Sequence, residues 1–269
     1  MGTGIAQLSA TAGFKTILYE SNTDVLEKAR SSLLKILIAL VEKNKITSDD
    51  KEKIFQRIHF SSNIEDCNAE LIIEAITENL KAKIELFNQL SAINDDKTIL
   101  ATNTSSLSVS DIGNNILQPQ RVAGMHFFNP APVMKLIEIV KGEKASEEVI
   151  QTLISFSVQL GKTPVVCKDS PGFIVNRVAR PFYIESLRLV EEGVADFATI
   201  DELLEATGFK MGPFKLMDLI GNDINYTVST SVYDQLNKPG RLKPSFIQKE
   251  KVEKGELGKK TGKGYYEYN

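Results

Sequence analysis

The chain has 269 residues, 42% of them hydrophobic and 25% charged, a balance that excludes a mainly disordered chain and suits roughly two globular domains. Its net charge of −3 lacks the basic footprint of nucleic-acid binding, so no nucleic acid is expected as a partner. The longest apolar stretch, Leu33 to Val41, is broken by Lys35 and falls far short of the ~20 residues that cross a bilayer, so no membrane association is expected. Cys67 and Cys167 stand far apart with no paired-cysteine motif. Neither a metal site nor a disulfide scaffold is expected, and a reducing, cytoplasmic setting is. The start, Met1-Gly2-Thr3-Gly4, lacks a basic, apolar leader, and Ala6 stands where N-myristoylation wants Ser or Thr.

In chain order, residues 1–168 alternate strand and helix signals. β-rich runs occur at Lys15–Glu20, Glu70–Ile76, Thr98–Thr102, Arg121–Phe128, Leu136–Val140 and Thr163–Cys167. Amphipathic stretches of helical length cover Thr23–Glu42, Leu80–Ile93 and Glu147–Leu160. The runs ELIIEAI and TILAT are nearly continuous in apolar residues, as in parallel strands buried on both faces. This alternation predicts an α/β domain, a Rossmann-type doubly wound sheet. The breaker cluster Ser170-Pro171-Gly172 marks a boundary, and residues 169–269 are expected to form an all-α domain. Asn176 and Arg177 fall in the first turns of its first long helix, where Pro181 predicts a kink or a late start. The tail from Gly255 is basic and glycine-rich and ends in an aromatic run.

The opening segment reads as the second half of a dinucleotide-binding unit. Gly2 fits the last fingerprint glycine, a short helix follows, and after the strand KTILYE comes Glu20, near the ~20-residue spacing of a ribose-binding carboxylate. The strand and glycines that open such a unit are expected to be missing, about ten residues in all. Flexible glycines at a chain start account for Gly2 and Gly4 equally well.

Of the two histidines, His59 lies in a mixed polar stretch and suits a solvated strand position. His126 ends an apolar strand, and Glu138 lies in the next β run. Pro132 is the midpoint between them. A fold-back there would bring the two side chains face to face, and a carboxylate beside an imidazole fixes its tautomer and favours the imidazolium. That pair suits a general base for an alcohol proton. A structural histidine and a surface glutamate remain the alternative. Asn103-Thr104-Ser105-Ser106 directly follows a buried strand, at the kind of strand end where α/β sheets bind ligands. An ordinary capping loop explains these residues as well. Glu78, Asn79, Lys81 and Lys83 follow ELIIEAI in the same manner, with a solvated helix start as their bland explanation.

Together the segments EAITENLKAK, ATNTSSLS, GMHFFNPAPVMKLIEIV, SPGFIVNR, MGPFKLMDLIG and GKKTGKGYYEY resemble the L-3-hydroxyacyl-CoA dehydrogenase family, most closely its short bacterial 3-hydroxybutyryl-CoA branch. The resemblance runs in family order along essentially the whole chain. It implies an NAD-binding N-terminal domain, a helical C-terminal domain through which a homodimer forms, and an acyl-CoA substrate whose 3-hydroxyl is reversibly oxidised. It leaves the pathway open between fatty-acid breakdown, butyrate formation and polyester metabolism. It makes His126 the catalytic base and Glu138 its partner, with Ser105 and Asn176 binding the substrate oxygen or orienting the histidine. Glu20, Gly2, Glu78, Lys83 and, in the same loop as Ser105, Asn103 are implied at the NAD site. An acidic Glu20 with no arginine after it favours NAD over NADP. Lys43, with Lys45, is a candidate for the CoA phosphates; a solvated basic loop is the alternative. Two other readings stand beside this one: a sugar-acid dehydrogenase with a similar HFFNP motif, and a non-catalytic dimeric remnant.

Overall fold

The computed structural model describes residues 1–268, which form two compact units, Met1–Asp169 and Ser170 onward. The first unit contains α1 (Gly2–Thr11), β1 (Thr16–Tyr19), α2 (Thr23–Glu42), α3 (Ser48–Gln56), β2 (Ile58–Ser61), β3 (Leu71–Glu74) and α4 (Leu80–Ile93). It continues with β4 (Ile99–Thr102), α5 (Val109–Asn114), β5 (Val122–Phe127), β6 (Leu136–Lys141), α6 (Glu147–Gln159) and β7 (Thr163–Lys168).

Local chemistry explains where the main helices begin. The Asn22 side chain accepts hydrogen bonds from the backbone N–H groups of Asp24 and Val25 and so starts α2. Asn79 does the same for α4 through the Ala82 N–H. Along α2, Leu26, Leu33 and Leu37 share the buried face.

The strands form two hydrogen-bonded sheets. One pairs β1 with β2 in parallel; the other has the order β3-β4-β5-β6-β7. In the larger sheet β3, β4 and β5 run parallel, β6 is antiparallel to β5, and β7 is parallel to β6. All residues of β4 and β5 are buried, which is why those strands lack a polar face. The first core cluster packs Ile5 and Leu8 of α1 with Ala101, Met125, Ile137, Ile139 and Leu153.

Two helices, α3 and α5, lie outside the sequence expectations. β2, four residues long, places His59 on a strand, whereas α5 has six residues and α3 has nine. α3, SDDKEKIFQ, buries only Ile54 and α5 is under two turns long, so neither shows a helical apolar period. His59 is exposed and has a neighbour after all: Asp66 Oδ2 lies 3.6 Å from its Nε2.

The second unit is helical: α7 (Val175–Glu191), α8 (Phe197–Ala206), α9 (Pro213–Ile220), α10 (Asn222–Gln235) and α11 (Phe246–Glu253). Pro181 lies inside α7, which already begins at Val175, so the helix does not start late. Tyr183, Leu187, Ile200, Phe214, Met217 and Tyr265 form the core of this unit.

Candidate active site

The turn between β5 and β6 is centred on Pro132, and the antiparallel register sets His126 directly opposite Glu138. Cross-strand partners share a face of the sheet, so the two side chains meet. His126 Nδ1 lies 2.8 Å from Glu138 Oε2. Both groups are buried, Glu138 completely. With Glu138 ionised, its carboxylate can only accept, so the ring donates from Nδ1 and Nε2 is the nitrogen that can take a proton. The Phe128 ring lies against the imidazole, with centroids 4.6 Å apart.

Because β3, β4 and β5 are parallel, their carboxyl ends lie along one edge of the sheet. The residues after β3 and β4 therefore sit at the same edge as His126. Asn103 joins them: its Oδ1 accepts from Phe127 N at 2.8 Å, and its own N–H donates to the Glu74 carbonyl at 2.8 Å. Glu78 anchors the loop that carries Ser105. Its Oε1 accepts from Thr104 Oγ1 (2.6 Å), Ser105 N (3.0 Å), Ser106 N (3.1 Å) and Ser106 Oγ (2.9 Å). Burial pushes the Glu78 carboxyl up, but the Thr104 bond, the Lys83 charge and the Ser105 and Ser106 bonds outweigh it and hold it below the usual carboxylate range.

Lys83, implied as a cofactor contact, faces inward in this structure. Its side chain is 1% exposed, with Nζ 2.6 Å from Glu74 Oε1 and 3.4 Å from Glu78 Oε2. Its ammonium compensates two carboxylates, which explains how a lysine can be buried at all. Glu74 also accepts from Ile76 N and Thr102 Oγ1, both at 2.7 Å. Sequence reasoning missed Glu74. The available signal was a single acidic residue inside the apolar run ELIIEAI, since a buried carboxylate needs partners.

Glu20 follows the carboxyl end of β1, and its Oε1 accepts from Asn22 N at 3.1 Å. Gly2 is the first residue of α1, and a Cβ built there would meet nothing within 4 Å. Lys43 is not brought to Glu20: it is exposed at the far end of α2, a helix about 30 Å long. Lys45 is exposed in the same loop. Asn176 belongs to the second unit, in the first turn of α7, where its carbonyl accepts from Arg180 Nε at 2.9 Å. Cys167, on β7 opposite Val140 of β6, is not a reactive thiol. Burial, with the charges of Glu138 and Asp169, pushes the Cys167 thiol up to about 12. Among the described residues no cluster of His, Cys, Asp and Glu is arranged to hold a metal ion.

The strand ends thus offer a basic imidazole nitrogen backed by a carboxylate, beside a loop rich in hydroxyl and N–H donors. The carboxyl end of β1 offers Glu20, whose carboxylate suits a ribose hydroxyl.

Comparison with known proteins follows this division of the chain. Residues 1–170 match the NAD-binding domain of 3-hydroxyacyl-CoA dehydrogenases, and residues 172–268 match the C-terminal domain of the same enzymes. The chain is 43% identical over 270 residues to 3-hydroxyadipyl-CoA dehydrogenase of Escherichia coli, covering 100% of this chain and 57% of that relative. It is 39% identical to the mitochondrial hydroxyacyl-coenzyme A dehydrogenase of Sus scrofa, covering 100% of this chain and 88% of the relative. Among solved structures, (S)-3-hydroxybutyryl-CoA dehydrogenase from Ralstonia eutropha superposes with a TM-score of 0.95 at 35% identity, covering 100% of this chain and 95% of that one.

Proposed function

The chain belongs to the 3-hydroxyacyl-CoA dehydrogenase family, and from that premise we propose that it oxidises an L-3-hydroxyacyl-CoA, 3-hydroxybutyryl-CoA in particular, to the 3-ketoacyl-CoA with NAD, and runs the reverse reaction. The observation that carries this reading is the buried 2.8 Å contact between His126 and Glu138. Oxidation of a secondary alcohol removes the proton from the hydroxyl oxygen and a hydride from the carbon that bears it. When bound, NAD supplies the hydride acceptor. His126 Nε2 takes the hydroxyl proton, and Glu138 stabilises the imidazolium that results. In the reverse direction the imidazolium returns the proton to the forming alkoxide. Ser105 hydrogen-bonds the substrate oxygen and orients it, an entropic contribution to the rate, and Asn176 keeps the role the resemblance implies, binding that oxygen or orienting the histidine.

The residues present suit the dinucleotide. Glu20 accepts the ribose hydroxyls of the adenosine half and repels a 2′-phosphate, which favours NAD over NADP. Glu78 and Asn103 shape the loop toward the nicotinamide half. Lys83 holds Glu78 in place rather than touching the cofactor. Gly2, the first residue of α1, has open space where a Cβ would stand, which suits the approach of the pyrophosphate to the amino end of that helix. Lys43 is proposed at the CoA phosphates only as a contact from an exposed loop.

The names of the relatives favour this chemistry over sugar-acid oxidation, and the intact His126–Glu138 pair argues against a non-catalytic remnant. A reducing, cytoplasmic setting is inferred from two cysteines that stand far apart in the sequence with no paired motif. No described helix is long and apolar enough to cross a membrane. A homodimer through the helical unit follows from the family resemblance; that unit exposes Val178, Leu203 and Phe246.

The test is NADH consumption by the purified chain with acetoacetyl-CoA. Turnover is expected, and His126→Gln should lower it by about 10²-fold or more while NADH still binds. A folded chain without turnover, or simultaneous loss of turnover and NADH binding in His126→Gln, would overturn the assignment.

A further inference from the structure

Lys162 lies between α6 and β7, directly after Gly161, whose φ of 70° makes the turn. It is buried, at 8% exposure. Its Nζ donates to the carbonyls of Ala131 (2.7 Å), Met134 (2.7 Å) and Pro132 (3.2 Å). An ammonium has three N–H donors and no acceptor, so all of its donors are engaged. The partners are neutral carbonyls, and burial lowers the ammonium below the usual lysine range. A lysine on the surface would avoid that cost entirely.

All three carbonyls belong to the turn that joins β5 to β6. The next residue adds a fourth bond: Thr163 N donates to the Lys135 carbonyl at 2.8 Å. The turn also closes on itself, because Val133 N and Met134 N both donate to the Pro130 carbonyl at 3.0 Å. His126 and Glu138 flank this same turn. Its other side rests on α1. A Cβ on Gly4 would lie 3.4 Å from Pro132 Cδ and 3.6 Å from Ala131 Cβ. Ala131 belongs to the same core cluster as Ile5 and Leu8.

We propose that Lys162 is a positioning residue for the reaction: by gathering three carbonyls of the β5–β6 turn it sets the His126–Glu138 pair against the amino-terminal turns of α1. The inference rests on the dehydrogenase reading above, in which α1 faces the dinucleotide and His126 exchanges the substrate proton. A displacement of roughly 1 Å between reacting groups costs on the order of 10²-fold in rate, so a residue that touches neither ligand can govern turnover.

The full chain is compared with Lys162→Met, which keeps the stem and loses every donor, and with Lys162→Arg, which keeps the charge but spreads its donors over a plane. Two quantities are read on folded protein. One is the NMR signal of the His126 Nδ1 proton held against Glu138. The other is kcat and KM for NADH with acetoacetyl-CoA. Lys162→Met is expected to shift that proton signal or lose it to solvent exchange, and to lower kcat about tenfold or more while the KM for NADH changes less than about threefold. Lys162→Arg is expected to fall between it and the unmodified chain on both readouts. A general loss of packing would lower the melting temperature without this split between kcat and KM. An unchanged proton signal in both variants, or kcat within about twofold of the unmodified chain, overturns the proposal. Should Lys162→Met fail to fold, Lys162→Arg decides by the same criteria. If the unmodified chain does not turn over, the dehydrogenase reading has failed, and the proton signal alone still decides whether Lys162 holds the pair.

Discussion

Glu138 sets which nitrogen of His126 can act as a base, and that role is separable from simple contact. Glutamine at this position keeps the volume but can offer an amide N–H to Nδ1. The ring would then carry its proton on Nε2, the wrong side for accepting one. Glu138→Gln should therefore retain the fold, with kcat reduced by about 10²–10⁴-fold, measured as NADH consumption at saturating substrate. Lys83 makes the contrasting case, since its removal is a matter of stability first. Lys83→Met leaves Glu74 buried without its counter-charge and should lower unfolding free energy by about 3–5 kcal/mol in a urea titration. Adding Glu74→Gln should recover part of that loss; no recovery would show that the pair is not coupled. Glu78 gives a pH signature. Its carboxyl is held below the usual range, so its contribution to stability is complete above the unfolded value of about 4.3 and is lost as pH falls through the lower folded value. At 37% side-chain exposure solvent screens this contribution, so the effect is modest. Glu78→Gln should flatten the fall in melting temperature between pH 5 and pH 3.

At the scale of elements, the carboxyl-terminal tail is organised by two buried aspartates. Asp218 accepts from the N–H groups of Tyr265 and Tyr266, both at 3.0 Å, and from the Tyr268 hydroxyl at 2.9 Å. Asp201 accepts from Phe214 N at 2.9 Å, Lys215 N at 3.0 Å and the Tyr266 hydroxyl at 2.7 Å. One carboxylate thus docks the tail on α9, and the other ties the start of α9 to both α8 and the tail. The glycines of the tail follow from this close approach. A Cβ on Gly264 would fall 2.0 Å from Asp218 Oδ1, and one on Gly258 would fall 2.2 Å from the Asp218 carbonyl oxygen. Gly264→Ala should accordingly destabilise the protein by about 1–3 kcal/mol, read as a lower urea midpoint. An unchanged midpoint would mean that the tail is not packed as described. The aromatic residues are explained in the same way, because Tyr265 packs edge-on against Phe197 and Phe214 while its backbone binds Asp218.

At the scale of the molecule, the two units are stabilised by different means. The first rests on sheet ladders covered by amphipathic helices; the second has helices of 8 to 17 residues, held by the Asp201 and Asp218 networks and a small aromatic core. Short helices gain little from propensity and depend on packing. The proposed dimer would cover apolar side chains that the second unit leaves exposed. Sedimentation velocity should then give about twice the 29.8 kDa chain mass, and Phe246→Glu should shift the distribution toward monomer. A monomer at micromolar concentration in the unmodified chain would refute the dimer.

The sequence by itself determined the features that depend on near neighbours. α2 and α4 begin where Asn22 and Asn79 can cap them, and their apolar spacing marks the buried face. The buried strands β4 and β5 announce themselves as apolar runs, and the position of Pro132 midway between His126 and Glu138 already implied the register of one hairpin. α3 and α5 were not legible because one is nearly all polar and the other is under two turns long. Tertiary structure decided the partners of the charged and polar groups. Nothing near Lys162 in the chain foretells a buried ammonium gathering carbonyls thirty residues away, and nothing near Lys83 tells an inward lysine from a solvated one. Nor could the tail glycines be traced to Asp218. The physical reason is the range of the interactions. Caps and periodicity act within a few residues, whereas the cost of burying a charge is settled only by the groups that the fold brings to it.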